Sequence, residues 1–149
     1  MLSGPLPQSI LFACTQNTVR SPMAEAIGRF LFGKRLYVAS AGLRRGEPDG
    51  FAINVMDEIG MEISRHRPRT FEDLEDSNFD LIVTLSPEAH HKALDFTRAI
   101  AVEVEYWPTF DVTGIQGSRN QKIEAYRSVR DGLMLRLKQR FEWRPFGGA

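Results

Sequence analysis

The first feature that could do chemistry is a thiol and a guanidinium at a short spacing, because Cys14 and Arg20 stand with five residues between them. A cysteine thiolate is a nucleophile that nearby positive charge favours, and a guanidinium binds two oxygens of a phosphate-like anion. We therefore expect Cys14 to attack the central atom of an oxyanion that Arg20 holds. The alternative is that Cys14 is only the buried end of a strand, since free cysteines are among the most buried residues.

The segment between these two residues is a polar loop that leads directly into a predicted helix. A loop of this kind directs successive backbone N–H groups at one point, which makes an anion site. The hydroxyl of Ser21 can donate a hydrogen bond to the Cys14 thiolate and so stabilise it as a leaving group. The candidate phosphate-binding residues are Thr15, Gln16, Asn17, Thr18, Val19, Arg20 and Ser21.

Short apolar runs that alternate with helical patterns predict the elements that must position this loop. Ser9–Ala13 has the length of a strand, and Ser21–Gly33 has the apolar spacing of a helix. In that helix we expect Ser21 as the N-cap, Pro22 in the first position and Gly33 at the end. Further strands are predicted at Leu36–Ala39, Asp80–Leu85 and Ala101–Tyr106, further helices at Pro48–Ile59, Pro87–Phe96 and Ser118–Phe141, and a frayed tail at residues 145–148.

Strand–helix alternation predicts an α/β domain with a parallel sheet. In such sheets ligands bind beyond the carboxyl ends of the strands, where Cys14 would lie. A length of 149 residues predicts one domain over residues 1–149, and the balance of 19 basic and 19 acidic residues argues against nucleic acid or an anionic membrane as a partner. Because no targeting or membrane-spanning segment is visible, we expect a cytoplasmic protein.

Four stretches of the chain carry a more specific pattern. They are ILFACTQNTVRSPMAEA around Cys14, Ser40-Ala41-Gly42, His66-Arg67-Pro68-Arg69 and Phe79-Asp80-Leu81-Ile82-Val83. Together they resemble the low-molecular-weight protein tyrosine phosphatase family, which includes related arsenate reductases. The resemblance implies a single α/β domain with a four-stranded parallel sheet, in the order 2-1-3-4, flanked by helices on both faces. It also implies hydrolysis of a phosphomonoester through a cysteinyl-phosphate, without metal or organic cofactor, on a phosphorylated protein or a small aryl phosphate.

The same resemblance implies a proton donor on a late loop, which the family supplies with an aspartate that is usually followed by proline. The matching residue is Asp111, followed here by Val112. Asp111 would protonate the leaving oxygen and then deprotonate the attacking water. The alternatives are that Asp111 only shapes or caps its loop, or that Asp95 or Asp131 is the donor, although both lie in helical patterns.

Two loop residues depart from the pattern of the family. Gln16 stands where the family usually has glycine, and Val19 stands where it frequently has a second cysteine. A β-carbon at residue 16 restricts the loop dihedrals, whereas Asn17 matches the family's asparagine and tolerates left-handed backbone. With Val112 in place of proline, these departures leave open a non-catalytic module that binds an oxyanion or phosphotyrosine.

The stretches Val83–Ala89 and Tyr126–Asp131 are similar to the arsenate-reductase branch of the family. Reductases of that branch that couple to thioredoxin resolve their adduct with two further cysteines, and Ser86 stands about where the first would be. Because Cys14 is the one cysteine of the chain, that relay is chemically impossible here. The alternative function is therefore an arsenate reductase that uses an external thiol such as glutathione.

Two arginine-rich stretches say less about this chemistry. Arg44 and Arg45 follow the second strand, where the family places a substrate-rim loop that usually carries an aromatic residue. His66 lies within the basic run Arg65–Arg69, which either steers anions toward the site or forms a solvated face. The substrate preference is therefore open at this stage.

Overall fold

The computed structural model describes residues 5–75, 78–98, 100–141 and 143, in which four parallel strands form one sheet. The strand order is 2-1-3-4, as the family resemblance implied, so the predicted fold class is confirmed. The strands are β1 (Ser9–Cys14), β2 (Tyr37–Gly42), β3 (Leu81–Thr84) and β4 (Glu103–Tyr106); the helices are α1 (Arg20–Phe32), α2 (Gly50–Asp57), α3 (Pro87–Phe96) and α4 (Arg119–Arg140), with short 3-10 helices at Gly33–Arg35 and Phe71–Asp73.

Helices cover both faces of the sheet, and the alternation of side chains along β1 divides the core in two. Ile10 and Phe12 point into the larger cluster, which contains side chains from α1, α2 and α4. Leu11 and Ala13 point into a smaller cluster with side chains from α3. Cys14 continues the first set, so its side chain emerges on the α1 side at the carboxyl end of β1.

The helix α1 begins one residue earlier than predicted. It starts at Arg20, its N-cap is Val19 without a side-chain hydrogen bond, and Pro22 is its third residue rather than its first. The prediction of Ser21 as the N-cap is wrong because the Ser21 hydroxyl bonds to other side chains of the loop. Gly33 ends the helix as predicted, with a left-handed φ of 56° that favours glycine.

The other elements keep their predicted places with shifted ends. β2 continues to Gly42, past the predicted stop at Ala39, and α2 is shorter than Pro48–Ile59 and is capped by the side chain of Asp49. α3 has its predicted bounds, and the predicted tail at residues 145–148 lies outside the described residues. Within the described part of the chain, no helix has both the length and the apolar composition that crossing a bilayer requires.

Parallel pairing places the carboxyl ends of all four strands at one edge of the sheet. The loops that leave these ends therefore converge there, which is where ligands bind in open α/β sheets. The loop Cys14–Ser21 lies at the centre of this edge because β1 and β3 are the two inner strands.

Candidate active site

The loop Cys14–Ser21 connects β1 to α1 and places the thiol beside a hydroxyl. The Cys14 Sγ lies 2.9 Å from Ser21 Oγ, and Cys14 is only 2% exposed. The Asn17 side-chain amide donates from Nδ2 to the same Ser21 Oγ at 2.8 Å. Because Ser21 accepts that bond, its own O–H is free to donate to the Cys14 sulfur, which is the direction in which a thiolate would accept it.

Asn17 shapes the loop from inside. Its backbone has a left-handed φ of 58°, and its side chain is fully buried. Besides the bond to Ser21, Nδ2 donates to Ser40 Oγ at 3.0 Å. The Asn17 Oδ1 accepts from the Arg69 backbone N–H and from His66 Nε2, both at 2.9 Å. Every hydrogen-bonding position of the amide is thus used, so one side chain ties the loop to β2 and to the segment that precedes residue 70.

Apart from Ser21, the partners of Asn17 were not among the predicted site residues, although they lie in the motifs that carry the family resemblance. Ser40 could have been found as a buried hydroxyl near the end of an otherwise apolar strand. Burial lowers the pKa of His66 and outweighs the opposite effect of the Glu25 carboxylate, so a neutral imidazole donates from Nε2 to Asn17 Oδ1. His66 thus supports the loop from behind.

Two glycines without side chains leave the space that loop atoms occupy. A β-carbon at Gly42 would lie 2.9 Å from the Asn17 nitrogen and 2.9 Å from the Thr15 oxygen. A β-carbon at Gly46 would lie 2.6 Å from Gln16 Oε1, so the absence of a side chain there leaves space for Gln16. The left-handed residue of the loop is Asn17, and the β-carbon of Gln16 therefore adds no left-handed strain.

Arg20 joins the loop to the segment that follows β4. It is 7% exposed, and its Nη1 donates to the backbone oxygen of Thr109 at 3.0 Å. Its Nη2 lies 3.9 Å from Asp111 Oδ2. A guanidinium carries five N–H donors, so these contacts orient Arg20 and leave further donors for an oxyanion.

Asp111 is held by a near neighbour in the chain. Its Oδ1 accepts from the Thr113 hydroxyl at 2.7 Å and from the Thr113 backbone N–H at 3.0 Å. Burial would raise the pKa of Asp111, but these hydrogen bonds and the charge of Arg20 outweigh it and hold the pKa below its ordinary value. Val112, in the place of the family's proline, is buried in the larger core cluster and anchors this segment.

These side chains meet in one cavity of about 250 Å³, called here the catalytic cavity. Cys14, Arg20 and Asp111 all line it, as the sequence predicted they should if they act together. Asn17 and Ser21 were candidates for phosphate binding, but they do not line it and instead support the loop. The lining residues are Cys14, Thr15, Gln16, Thr18, Val19, Arg20, Arg44, Glu88, Asp111 and Thr113.

The rim of the catalytic cavity includes a carboxylate that sequence reasoning missed. The Thr15 hydroxyl lies 3.2 Å from Glu88 Oε1 and 3.0 Å from the Ser86 hydroxyl, to either of which it can donate. Ser86 caps α3 by accepting from the Ala89 backbone N–H. The first turn of a helix that follows an inner strand of a parallel sheet lies at the ligand edge, which is the signal that could have found Glu88.

The rival aspartates lie elsewhere. Asp95 pairs with Arg98 and Asp131 with Arg130, and neither lines the catalytic cavity. Among the residues that the structure describes, no group of three or more His, Cys, Asp or Glu side chains is placed to hold a metal ion. Asp111, by contrast, lines the catalytic cavity and forms an ion pair with Arg20.

A cysteine and an arginine joined by a short loop, at the carboxyl edge of this parallel sheet, define a phosphatase-like class of α/β protein. The chain belongs to the low molecular weight phosphotyrosine protein phosphatase family, whose sequence pattern matches residues 9–142. The family resemblance of the sequence is thereby confirmed. This is an enzyme family that acts on phosphate or related oxyanions, and solved structures of the family share the fold.

Known relatives differ in their activities. The arsenate reductase of Bacillus subtilis (strain 168) is 32% identical over 130 residues, which cover 87% of this chain and 92% of the relative. The low molecular weight protein tyrosine phosphatase from T. tengcongensis has a TM-score of 0.72 at 26% identity, with 89% of this chain and 96% of that chain covered. The YwlE arginine phosphatase, with a phosphorylated active-site serine, has a TM-score of 0.72 at 25% identity, with 89% and 92% covered.

Proposed function

We propose that this chain hydrolyses phosphomonoesters, with phosphotyrosine as the expected substrate, through a cysteinyl-phosphate on Cys14. The observation that carries the proposal is that Cys14, Arg20 and Asp111 line one cavity of about 250 Å³. Each supplies a different function: a nucleophile, a fixed positive charge and a proton donor. Thiol chemistry of this kind needs a reducing compartment, so the proposal places the protein in the cytoplasm.

In the first step the Cys14 thiolate attacks phosphorus while Arg20 and the loop N–H groups hold the oxyanion. An S–P bond forms, the P–O bond to the leaving group breaks, and Asp111 donates a proton to the departing oxygen. In the free protein the lowered pKa of Asp111 keeps it ionised. A bound phosphate dianion adds a like charge and engages Arg20, and both effects raise the pKa of Asp111 toward protonation.

In the second step a water molecule attacks the phosphorus of the cysteinyl-phosphate. Asp111, now ionised, accepts a proton from that water, an O–P bond forms and the S–P bond breaks. The electron pair returns to the sulfur, where the Ser21 hydroxyl at 2.9 Å can donate to it. Inorganic phosphate and the starting enzyme are the products, so the cycle needs no other reactant.

The test is hydrolysis of p-nitrophenyl phosphate with EDTA present, by the natural chain and by Cys14→Ser. We expect turnover that EDTA leaves unchanged, and a loss of at least about 10³-fold in Cys14→Ser because a nucleophile is removed. Calorimetric titration with inorganic phosphate is the control for folding, since Cys14→Ser keeps Arg20 and the loop. Turnover that survives in Cys14→Ser would contradict the role of Cys14, and phosphate binding without turnover in the natural chain would favour a non-catalytic oxyanion-binding module.

The leaving group is tested by a panel of phosphotyrosine, phosphoserine and phosphoarginine. Phosphoarginine is included because a solved structure at 25% identity is an arginine phosphatase. We expect the highest kcat/KM on phosphotyrosine, because a phenolate is a better leaving group than an alkoxide. A higher value on phosphoarginine would keep the cysteinyl-phosphate chemistry and replace the substrate.

A second candidate is arsenate reduction with an external thiol, favoured by the similarity to the Bacillus subtilis arsenate reductase. Cys14 would displace water from arsenate to give a cysteinyl-arsenate. The sulfur of glutathione then attacks Cys14 Sγ, an S–S bond forms, and the electron pair of the S–As bond reduces As(V) to As(III), which leaves as arsenite. A second thiol reduces the mixed disulfide and regenerates Cys14.

This second candidate is tested by measuring arsenite with glutathione and glutaredoxin supplied. An external donor is required because Cys14 is the one cysteine of the chain. Arsenite formation that depends on both the donor and Cys14 would support it. No turnover above the background without enzyme would remove arsenate reduction as a candidate.

A further inference from the structure

A second cavity, called here the basic cavity, lies behind the loop Cys14–Ser21, which is called the catalytic loop below. Its volume is about 720 Å³. Its charged lining consists of four arginines and two carboxylates, and the proposed chemistry makes no use of it. His66 also lines it, and the His66 imidazole is neutral because burial lowers its pKa. The lining residues are Glu25, Arg45, Arg65, His66, Arg67, Pro68, Arg69 and Asp73.

The basic cavity is more positive than the catalytic cavity. In the catalytic cavity two arginines face two carboxylates, Glu88 and Asp111, whereas in the basic cavity four arginines face Glu25 and Asp73. The whole chain has a formal net charge of zero. The lining of the basic cavity therefore carries an excess of positive charge, and such an excess attracts anionic partners.

Part of this charge is available to a partner. Arg67 is exposed and makes no hydrogen bond or ion pair with any described residue. Arg65 contacts Glu62 only at 3.6 Å, and its side chain is 94% exposed. Arg45, by contrast, is held by Asp73 through two hydrogen bonds. Arg67 and Arg65 are thus the side chains that can meet an external anion without breaking a strong internal contact.

The two cavities share a wall. Arg44 lines the catalytic cavity and Arg45, the next residue, lines the basic cavity. The backbone N–H of Arg44 donates to Thr15 O at 3.1 Å, so this wall is fixed to the catalytic loop. An extended peptide whose phosphorylated residue enters the catalytic cavity can therefore place neighbouring residues over the basic cavity.

We propose that the basic cavity docks aspartate or glutamate residues that flank the phosphorylated residue of a protein substrate. This inference rests on the proposed phosphatase function and specifies which phosphoproteins the site prefers. Exposed ion pairs contribute modest free energies, so the preference for an acidic flank over a neutral one is about fivefold in kcat/KM. The preference is electrostatic and declines as salt is raised from about 0.1 M to about 1 M.

The experiment compares two phosphotyrosine peptides that differ only in their flanks, one acidic and one neutral, on the natural chain and on Arg67→Glu. We expect Arg67→Glu to abolish the preference for the acidic peptide while kcat/KM on p-nitrophenyl phosphate stays unchanged, since Arg67 touches no residue of the catalytic cavity. A third peptide with a basic flank should be used better by Arg67→Glu than by the natural chain. The matched control is Arg35→Glu, because Arg35 is also exposed but lies in the short helix Gly33–Arg35 at the opposite end of β2.

A second measurement separates this inference from the proposed function. Binding of a fluorescent oligoglutamate peptide without phosphate is followed by anisotropy, which needs no turnover. If no phosphopeptide is hydrolysed but oligoglutamate binds and Arg67→Glu weakens it about fivefold, the docking site stands and the phosphatase function fails. If Arg67→Glu changes neither the peptide preference nor oligoglutamate binding by more than Arg35→Glu does, the docking site is overturned.

Discussion

The catalytic loop and the segment that carries Asp111 are built in opposite ways. In the loop, the fully buried Asn17 side chain donates to Ser40 and accepts from His66, two partners distant in the chain. In the other segment, Asp111 takes its hydrogen bonds from Thr113, two residues away, and its side chain is 56% exposed. The loop that we propose binds the anion is therefore held by the tertiary structure, whereas the carboxylate that we propose transfers the proton is hydrogen-bonded to a near neighbour in the chain.

This difference suits the two tasks. Donors that stabilise an oxyanion are most effective when they are already oriented, because no reorganisation is then needed during the reaction. A group that must both donate and accept a proton needs a pKa that changes between the two steps. The exposure of Asp111 and its 3.9 Å separation from Arg20 leave that pKa open to the charge of the ligand.

The largest effect that would sharpen this comparison is expected for Asp111→Asn. Loss of a general acid costs about 10²–10⁴-fold in rate, and the loss should be greater on phenyl phosphate than on p-nitrophenyl phosphate, because the poorer leaving group needs the proton more. Pre-steady-state release of the phenol, measured on both substrates, reports the first step directly. Equal, small losses on the two substrates would show that another group donates the proton.

An intermediate effect is expected from one chemical change made in both regions, Gly42→Ala and Gly114→Ala. The new β-carbon at residue 42 would lie 2.9 Å from the Asn17 nitrogen, while at residue 114 it would meet nothing within 4 Å. We expect Gly42→Ala to lower the free energy of unfolding by about 1–3 kcal/mol and to weaken phosphate binding.

Gly114→Ala is the matched control, and it should leave both quantities unchanged or raise stability by about 0.4–1 kcal/mol through the unfolded state. Urea denaturation gives the free energies, and calorimetry gives the affinity for phosphate. If both variants behave alike, the catalytic loop is no more tightly constrained than the segment around Asp111.

The smallest effect is expected for Thr113→Val, which removes the 2.7 Å hydroxyl bond to Asp111 Oδ1 and keeps the shape of the side chain. That bond favours the ionised carboxylate, so its loss raises the pKa of Asp111 toward the ordinary value. The first step needs protonated Asp111, and the pH at which its rate declines on the alkaline side should therefore move up.

The measurement is the pH profile of pre-steady-state phenol release from phenyl phosphate, whose poorer leaving group depends more on the proton from Asp111. Thr113→Ser keeps a hydroxyl and should restore the natural profile. A Thr113→Val profile that coincides with the natural one would mean that the Thr113 hydroxyl does not control the protonation of Asp111.

Much of this candidate site could be predicted because the residues that carry its chemistry lie in one short segment of the chain. The spacing of Cys14 and Arg20 and the strand and helix that flank them lie within a short stretch of the chain. One prediction that failed, Ser21 as a helix cap, used the same local logic. Serine is a common helix cap, but the Ser21 hydroxyl is hydrogen-bonded to the Cys14 sulfur and the Asn17 amide instead. A rule based on neighbouring residues does not include these competing partners.

The residues that the sequence analysis missed act across long separations in the chain. Glu88 reaches the catalytic cavity because β1 and β3 are paired, which brings Thr15 and the first turn of α3 together. Ser40, His66 and Arg69 matter because they surround Asn17. Their residue types can be read from the sequence, but their distances from the loop are set only by the folded structure.

The sequence by itself determined the family, because residue types and spacings along the chain are enough to match it, and the order of the strands followed from that family resemblance. The prediction of Cys14 as the nucleophile rests on the same local spacings. The sequence also determined that any reductive chemistry must use an external thiol, since Cys14 has no second cysteine to pair with. Only the tertiary structure decided that Asp111 lines the same cavity as Cys14, and that four arginines line a separate cavity behind the loop. The physical reason is that electrostatics depends on distance, and distances between segments remote in the chain are set only when the strands pair and the helices pack.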